Sequence, residues 1–143
     1  MHAAEKHSRW SARRELEEAK RAGQPSIAIN VVQTFPVGSK IRTEALRVWL
    51  SVESTCGGFR RLYTFTEVGS TLEREVVKKW VSHARKKHEL QQVLVAVRDL
   101  GDVELEQTIL QKLRRKYHFV EFRESVKTFC VSLLRRIIRS APA

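Results

Sequence analysis

The amino-acid sequence predicts an α/β fold, built as one mixed sheet with helices on both faces. Three observations lead to it: short stretches rich in β-branched and aromatic residues, a Gly-Gly pair between two such stretches, and helical patterns that alternate with apolar runs in the second half. The 143 residues, 42% of them hydrophobic, are enough for one domain with a real core. The expected element order is α-β-β-β-α-β-α-β-α.

The first half is expected to contribute one helix and three antiparallel strands. Residues 8–22 follow a polar helical pattern, which Gly23 and Pro25 end. The predicted strands are residues 26–35, 42–54 and 62–68. The first is rich in isoleucine and valine, and the other two flank the pair Gly57-Gly58, which predicts a hairpin.

The second half is expected to alternate helices with parallel strands. Ser70 and Glu73 have the spacing of a capping box and begin a helix that extends to His88. The apolar run from Leu90 to Val97 is typical of a strand covered on both faces. The remaining elements are a helix over residues 102–117, a short strand over 119–122 and an amphipathic helix that begins at residue 125. No internal repeat is predicted.

The order of these elements resembles the topology of ribonuclease-H-like folds, in which three antiparallel strands precede alternating helices and parallel strands. The resemblance concerns topology alone and implies no function. The predicted domains are a polar N-terminal helical arm, residues 1–24, and a single α/β domain, residues 25–143.

Positive charge is the strongest functional signal. Lysine and arginine total 27 against 16 acidic residues, so the formal net charge is +11 and the isoelectric point is near 10.3. This balance is typical of proteins that bind nucleic acid or an acidic membrane surface. Because no zinc finger, basic zipper or recognition helix for a major groove is evident, RNA is favoured over DNA.

Three clusters of cations end predicted helices, and the first two are expected along one edge of the sheet. Cations in a last helical turn also complement the helix dipole, but three such clusters favour a basic rim that grips phosphates. The predicted nucleic-acid-binding residues are Arg85, Lys86, Lys87, Arg114, Arg115, Lys116, Arg135, Arg136 and Arg139.

A second surface is predicted on the hairpin, where guanidinium and aromatic groups mix as they do on base-stacking platforms. Its residues are Arg47, Trp49, Arg60, Arg61 and Tyr63, with Phe65 beside them. The aromatic members are equally suited to the core, so this surface is the weaker of the two predictions.

The acidic residues do not form an evident catalytic set. A metal-dependent nuclease needs several carboxylates at the ends of central strands, and the candidates are Asp99, Asp102, Glu44, Glu53 and Glu67. Asp99 and Asp102 flank a glycine where a helix begins, so helix capping explains them as well. Phosphate loops, nucleophile elbows and zinc-deaminase motifs are not found, which favours a non-catalytic protein over an enzyme.

Cysteine count and hydropathy restrict the compartment. Cys56 and Cys130 have no zinc-ligand spacing and suggest no disulfide framework, and no metal or other cofactor is expected. No apolar run approaches the ~18 residues that span a bilayer, and the N-terminus lacks a signal pattern. The sequence predicts an intracellular protein of the cytoplasm or nucleus, a reducing compartment, without integral membrane association.

A different class of function stays open beside nucleic-acid binding. The amphipathic C-terminal helix could pair with a second protomer or another protein, or lie on an anionic membrane, which would make the chain an interaction or scaffold module. Such a protein would associate regardless of nuclease treatment, whereas a nucleic-acid binder would purify with nucleic acid that salt removes.

Overall fold

The computed structural model describes residues 2–117, and every regular element in that range is an α-helix. The helices are α1 (His2–Ala22), α2 (Pro25–Thr34), α3 (Lys40–Val52), α4 (Cys56–Phe65), α5 (Thr71–His83), α6 (Lys87–Leu100) and α7 (Val103–Tyr117). The predicted α/β fold is therefore wrong: the first four predicted strands lie in α2, α3, α4 and α6. The predicted strand over 119–122 and the helix from 125 lie outside the described residues.

The chain divides into two compact units. The first, Met1–Thr66, contains α1 to α4, and the second begins at Glu67 and contains α5 to α7. This division differs from the predicted arm and single domain. Rather than forming a separate arm, α1 packs against α2 and α3 and buries Ala12, Leu16 and Ala19.

The helix α2 shows why the first predicted strand is wrong. Pro25 occupies the first helical position, where its fixed φ suits a helix and its missing N–H is not needed. Ala28, Val31 and Val32 are buried, and spacings of three and four residues place them on one helical face. The burial of this face outweighs the preference of valine and isoleucine for strands.

The predicted hairpin is a pair of helices. Ser39 begins α3 as its N-cap and accepts a hydrogen bond from the backbone N–H of Arg42. The glycines that suggested a turn, Gly57 and Gly58, lie in the first turn of α4, where the Thr55 hydroxyl caps the N–H of Gly58 at 3.0 Å. A glycine pair beside a good N-cap residue thus begins a helix here.

The apolar run predicted as a central strand lies inside α6. Leu90, Val93, Leu94 and Val97 are buried at helical spacing. A short apolar run cannot distinguish a buried strand from a buried helix by periodicity alone. The length of the element identifies it as a helix, since α6 has 14 residues and ends at Leu100. Gly101 follows as its C-cap, with a left-handed φ of 70°.

The helices repeat in pairs along the chain, so the prediction of no internal repeat is wrong. Both α3 and α5 have 13 residues and begin 31 positions apart. The helices α2, α4 and α6 also begin at intervals of 31 positions. Within the described range the pairs are α1–α2, α3–α4 and α5–α6, and α7 follows them.

Corresponding residues of the pairs α3–α4 and α5–α6 share their burial. Trp49 and Trp80 are 0% and 2% exposed at the same helical position. Further corresponding residues that are buried in both pairs are Ile41 and Leu72, Ala45 and Val76, Leu46 and Val77, Phe59 and Leu90, and Leu62 and Val93. A helix pair that recurs with the same buried positions is the mark of a tandem repeat.

The turns that precede α3 and α5 are also alike. Each carries the sequence Val-Gly-Ser, and the glycines, Gly38 and Gly69, have φ angles of 86° and 79°. This left-handed conformation strains any residue with a Cβ. The following serines, Ser39 and Ser70, both accept a hydrogen bond from the backbone three residues later and cap the next helix.

Candidate functional site

The second unit brings together two basic segments that are far apart in the sequence. Because α5, α6 and α7 pack together and α7 runs back along α6, the end of α7 returns to the turn between α5 and α6. The contact is direct: the Lys116 ammonium and the Tyr117 hydroxyl both donate hydrogen bonds to the Arg85 carbonyl oxygen, at 3.3 and 3.0 Å. These bonds join residues 31 and 32 positions apart.

A groove of about 260 Å³ lies at this junction. Its lining residues are Ala84, Arg85, Leu90, Lys112, Arg115 and Lys116. Ala84 and Leu90 are almost wholly buried and supply an apolar floor, while the other four supply positive charge at the rim. The groove thus joins a small apolar surface to a concentration of cations.

The four lining cations and three cations close to them in the sequence are termed the basic cluster: Arg85, Lys86, Lys87, Lys112, Arg114, Arg115 and Lys116. Six are exposed and Lys112 is half-buried. Among residues 2–117, no ion pair involves the side chains of Arg85, Lys112 or Arg115. Their charge is therefore available to an external anion.

The first unit has a larger groove, of about 530 Å³, with a different electrostatic character. It lies between α1 and α3, and its lining residues are Arg13, Leu16, Glu17, Lys20, Glu44, Arg47, Val48 and Ser51. Arg13 pairs with Glu44 at 3.7 Å, and Lys20 pairs with Glu17 at 2.9 Å. Two of its three cations are thus paired with carboxylates of the same groove, which makes it a poorer site for a polyanion than the groove of the second unit.

The helix dipole accounts for only part of the basic cluster. Arg114, Arg115 and Lys116 lie in the last turn of α7, where cations complement the negative end of the dipole. The prediction that Lys86 and Lys87 also end a helix is wrong, since α5 ends at His83. Lys86 is the N-cap of α6 and Lys87 its first residue, so both lie at the positive end, where the dipole opposes them.

Glu89 is the acidic residue beside these lysines, and it holds the turn in shape. Its carboxylate accepts hydrogen bonds from the backbone N–H groups of Arg85 and Lys86, both at 2.9 Å. The bonds from Lys86 and Arg85 lower the pKa of Glu89, and the charges of His88 and Lys86 act in the same direction. Glu89 therefore stays ionised and is engaged with the backbone.

The other predicted site residues are distributed as follows. Arg135, Arg136 and Arg139 lie outside the described residues. Of the predicted stacking surface, Arg47, Arg60 and Arg61 are exposed and Tyr63 is half-buried. Trp49 is wholly buried, and its Nε1 donates a hydrogen bond to Glu53 at 2.9 Å, so its ring is not available to a base.

Three of the candidate nuclease carboxylates, Asp102, Glu53 and Glu44, have partners that account for them structurally. Asp102 caps α7 by accepting a hydrogen bond from the backbone N–H of Leu105 at 3.1 Å, which confirms the capping interpretation. Glu53 is 8% exposed and accepts hydrogen bonds from the Trp49 ring, from the backbone of Ser54 and from both the backbone and hydroxyl of Thr55. Its oxygens are occupied by these donors.

Burial by itself would raise the pKa of Glu53. The hydrogen bonds from Thr55, Trp49 and Ser54 outweigh burial, so the pKa lies below its ordinary value. Glu53 is therefore a carboxylate held ionised inside the first unit. This is the state that its structural hydrogen bonds require.

Glu53 and Glu89 perform the same task from different positions in their repeats. Ser54 and Thr55 in the turn before α4 correspond to Arg85 and Lys86 in the turn before α6. In each turn, one carboxylate accepts both backbone N–H groups. In the first turn it comes from the residue that follows α3, and in the second from the third residue of α6 itself.

Gly58 explains why only one carboxylate is present in the first turn. It stands at the position that Glu89 has in the next repeat. A Cβ on Gly58 would collide with the carboxylate of Glu53. The two repeats therefore satisfy the same donors by alternative placements of one acidic side chain.

Within residues 2–117 no group of three or more His, Cys, Asp or Glu side chains is arranged to hold a metal ion. None of the helices in the same range has the length and apolar character needed to cross a membrane.

Comparison with known proteins gave no match: no family model, curated protein or solved structure matches this chain.

Sequence reasoning missed Lys112 and Tyr117 as neighbours of Arg85. Lys112 precedes the cluster at the end of α7 by two residues, and Tyr117 follows it directly. The helical spacing of Lys112, Arg115 and Lys116 places these three cations toward one face of α7. The signal that could have joined them to Arg85 is the repeat of helix pairs, which predicts that α7 returns to the turn between α5 and α6.

Proposed function

We propose that the protein binds nucleic acid without catalysing its reaction, and that the basic cluster of the second unit holds the phosphates. One observation carries the proposal: Arg85 meets the sequence-distant Lys112, Arg115 and Lys116 at one groove, and Arg85, Lys112 and Arg115 pair with no carboxylate of residues 2–117. Closely placed cations attract a polyanion because each neutralised phosphate releases counterions.

RNA is the preferred ligand of this proposal. Repeats of helix pairs occur both among RNA readers and among protein scaffolds, so the repeat alone does not decide between these classes. The positive charges of Arg85, Lys112 and Arg115, which have no ion pair among residues 2–117, favour an RNA reader over a protein scaffold. The exposed cations lie at a helix-pair junction and not along a single helix face, as a helix that enters a DNA major groove would require.

The test is fluorescence-anisotropy binding of labelled RNA to the full chain and to two charge variants. The site variant carries Arg85→Gln, Lys86→Gln, Lys112→Gln and Arg115→Gln. The control variant carries Arg13→Gln, Arg14→Gln, Lys20→Gln and Arg21→Gln on α1, where three of the four cations have ion-pair partners. Both variants lose the same net charge.

We expect the site variant to bind RNA at least tenfold more weakly than the wild type, and the control variant to bind within about threefold of it. Equal losses in the two variants would show that general charge drives binding and would reject the basic cluster as the site. Absence of RNA and DNA binding by the wild type at low salt would reject the proposed function.

A protein-interaction module is the second candidate, and the 31-residue repeat is the observation that favours it. Tandem helix pairs build extended surfaces that proteins commonly use to hold other proteins. Sedimentation of the purified chain after nuclease treatment distinguishes the two candidates. A scaffold that self-associates would keep its larger size without nucleic acid, whereas a nucleic-acid binder would return to the mass of the single chain.

A further inference from the structure

The groove of the basic cluster is small, with room for only a part of a larger ligand. Pockets that enclose drug-sized ligands typically measure ~300–1,000 Å³, and this groove, at about 260 Å³, is smaller. Its floor is apolar, from Ala84 and Leu90, while phosphates need only the rim cations. An apolar floor between cations suits a ligand with a flat uncharged part and charged flanks, which describes a nucleotide within a strand.

Tyr117 does not line this groove itself but is hydrogen-bonded to Arg85, which does. Its hydroxyl donates to the Arg85 carbonyl at 3.0 Å, which fixes the ring beside the turn between α5 and α6. The Lys116 ammonium lies 5.5 Å from the centre of the same ring. The Tyr117 side chain is half-buried, so part of it stays in contact with solvent.

An aromatic ring beside cations is the combination that binds single-stranded nucleic acid. The ring stacks on a base while the cations follow the backbone, and this works for any base sequence. In a duplex the base faces are stacked on each other and cannot meet a protein ring without unpairing. A groove of this kind therefore discriminates by strandedness.

We propose that the groove takes one unpaired nucleotide of a single strand, with its base against Tyr117 and its neighbouring phosphates on Arg85, Lys112 and Arg115. This inference rests on the proposed function and adds to it the class of ligand and the residue that contacts the base. Single strands are then bound more tightly than duplexes of the same length.

The test compares the full chain with Tyr117→Leu and Tyr117→Phe. The first variant removes the ring and the second keeps the ring but loses the hydrogen bond to Arg85. The three probes are a single-stranded oligouridine, an RNA duplex of equal length, and inorganic polyphosphate, which presents phosphates without bases. Circular dichroism and thermal unfolding of each variant establish that it is folded.

We expect the wild type to prefer oligouridine to the duplex, and Tyr117→Leu to bind oligouridine roughly tenfold more weakly. Its affinity for polyphosphate stays unchanged, and Tyr117→Phe, which keeps the ring but not the hydrogen bond that positions it, loses less affinity for oligouridine than Tyr117→Leu does. Equal binding of single strand and duplex by the wild type would overturn the inference, even if Tyr117→Leu failed to fold. An equal loss on oligouridine and polyphosphate would also overturn it.

The two proposals fail in different ways. If oligouridine and duplex bind equally well, and the charge-neutral site variant weakens both, the basic cluster binds phosphates and only the role of Tyr117 is rejected. If the wild type binds neither nucleic acid at low salt, the proposed function itself is rejected.

Discussion

At the scale of single residues, the first turn of α4 is the most constrained place in the first unit. The Glu53 carboxylate fills the space next to Gly58, and a Cβ there would meet it. Gly57, one residue earlier in the same turn, has nothing within 4 Å of the place where its Cβ would be. Two adjacent glycines therefore have opposite tolerance for a side chain.

We expect Gly58→Ala to lower the free energy of unfolding by about 1–3 kcal/mol, the usual effect of an added carbon in a filled site. Gly57→Ala is the matched control and should be neutral or stabilising by up to about 1 kcal/mol, because alanine loses less backbone entropy in a helix. Urea unfolding followed by tryptophan fluorescence measures both. Equal destabilisation by the two substitutions would contradict the packing of Glu53 against Gly58.

At the scale of elements, the turns before α4 and α6 show two solutions to one problem. Each turn presents two backbone N–H groups to one carboxylate, supplied by Glu53 in one and Glu89 in the other. Leaving such donors without an acceptor costs about 1–3 kcal/mol where water is excluded. The carboxylate should therefore be movable from one position to the other within a turn.

The exchange can be tested in the turn before α4. Glu53→Ala removes the acceptor, and Gly58→Glu alone introduces a side chain against Glu53, so each single substitution should destabilise the fold. The double variant should be more stable than the sum of the two effects predicts, by at least about 0.5 kcal/mol. Recovery is incomplete because the Trp49 ring also loses its acceptor.

Glu53→Ala combined with Gly57→Glu is the control for this cycle. Position 57 is not the counterpart of Glu89, so its effect should simply add to that of Glu53→Ala. Chemical unfolding of the three single and two double variants beside the wild type gives the free energies of unfolding that both cycles require. An additive result for Glu53→Ala with Gly58→Glu would show that the two turns are not equivalent.

The helices that the sequence predicts correctly are those with explicit ends. Ser70 caps α5 and Asp102 caps α7, and the predicted starts of both helices are close to those observed, whereas the predicted end of the first at His88 lies beyond the end of α5 at His83. The other elements depended on residue preference, and valine-rich stretches such as α2 and α6 favour strands when read one at a time. Their apolar residues are buried at spacings of three and four because neighbouring helices cover them. The conformational preferences of single residues carry no information about those neighbours.

Six of the seven residues of the basic cluster could be predicted from the sequence, all except Lys112, but their geometry could not. Lys86 and Lys87 stand out by charge alone, yet their position at the start of α6 follows only from the end of α5 at His83. Tyr117 contacts Arg85 only because α7 runs back along α6 to the turn between α5 and α6, and the predicted sheet topology does not contain this arrangement. The alternation of apolar and polar residues around Trp49 predicts a strand with Trp49 on its surface, whereas the residue lies in a helix and is buried.

At the scale of the whole molecule, the net charge of +11 means that the proposed binding to a polyanion would have two sources. One is the general attraction of a basic chain, which many lysines and arginines share. The other is the basic cluster, where cations lie close enough to neutralise neighbouring phosphates together. The dependence of affinity on salt separates the two, because it counts the phosphates neutralised.

For oligouridine, we expect the plot of log affinity against log salt concentration to be less steep in the site variant of four substitutions. The magnitude of its slope should be smaller than that of the wild type by about 3. This value assumes that each of the four cations neutralises one phosphate, and that each neutralised phosphate of a single strand contributes about 0.7 to the slope. The α1 control variant should change the slope by less than about 1. Binding titrations at a series of salt concentrations give both values, and similar slopes for the two variants would assign the attraction to net charge alone.

The alternative placement of one carboxylate in the two turns has a consequence for the history of the chain. If the helix pairs arose by duplication of an ancestral segment, the two copies began with the same arrangement, and one copy later changed at two positions. Its intermediate carried either two acidic side chains competing for one place or none to serve two donors. Under that history we expect both intermediates to be less stable than the two present forms, so the change would have depended on stability supplied by the rest of the fold.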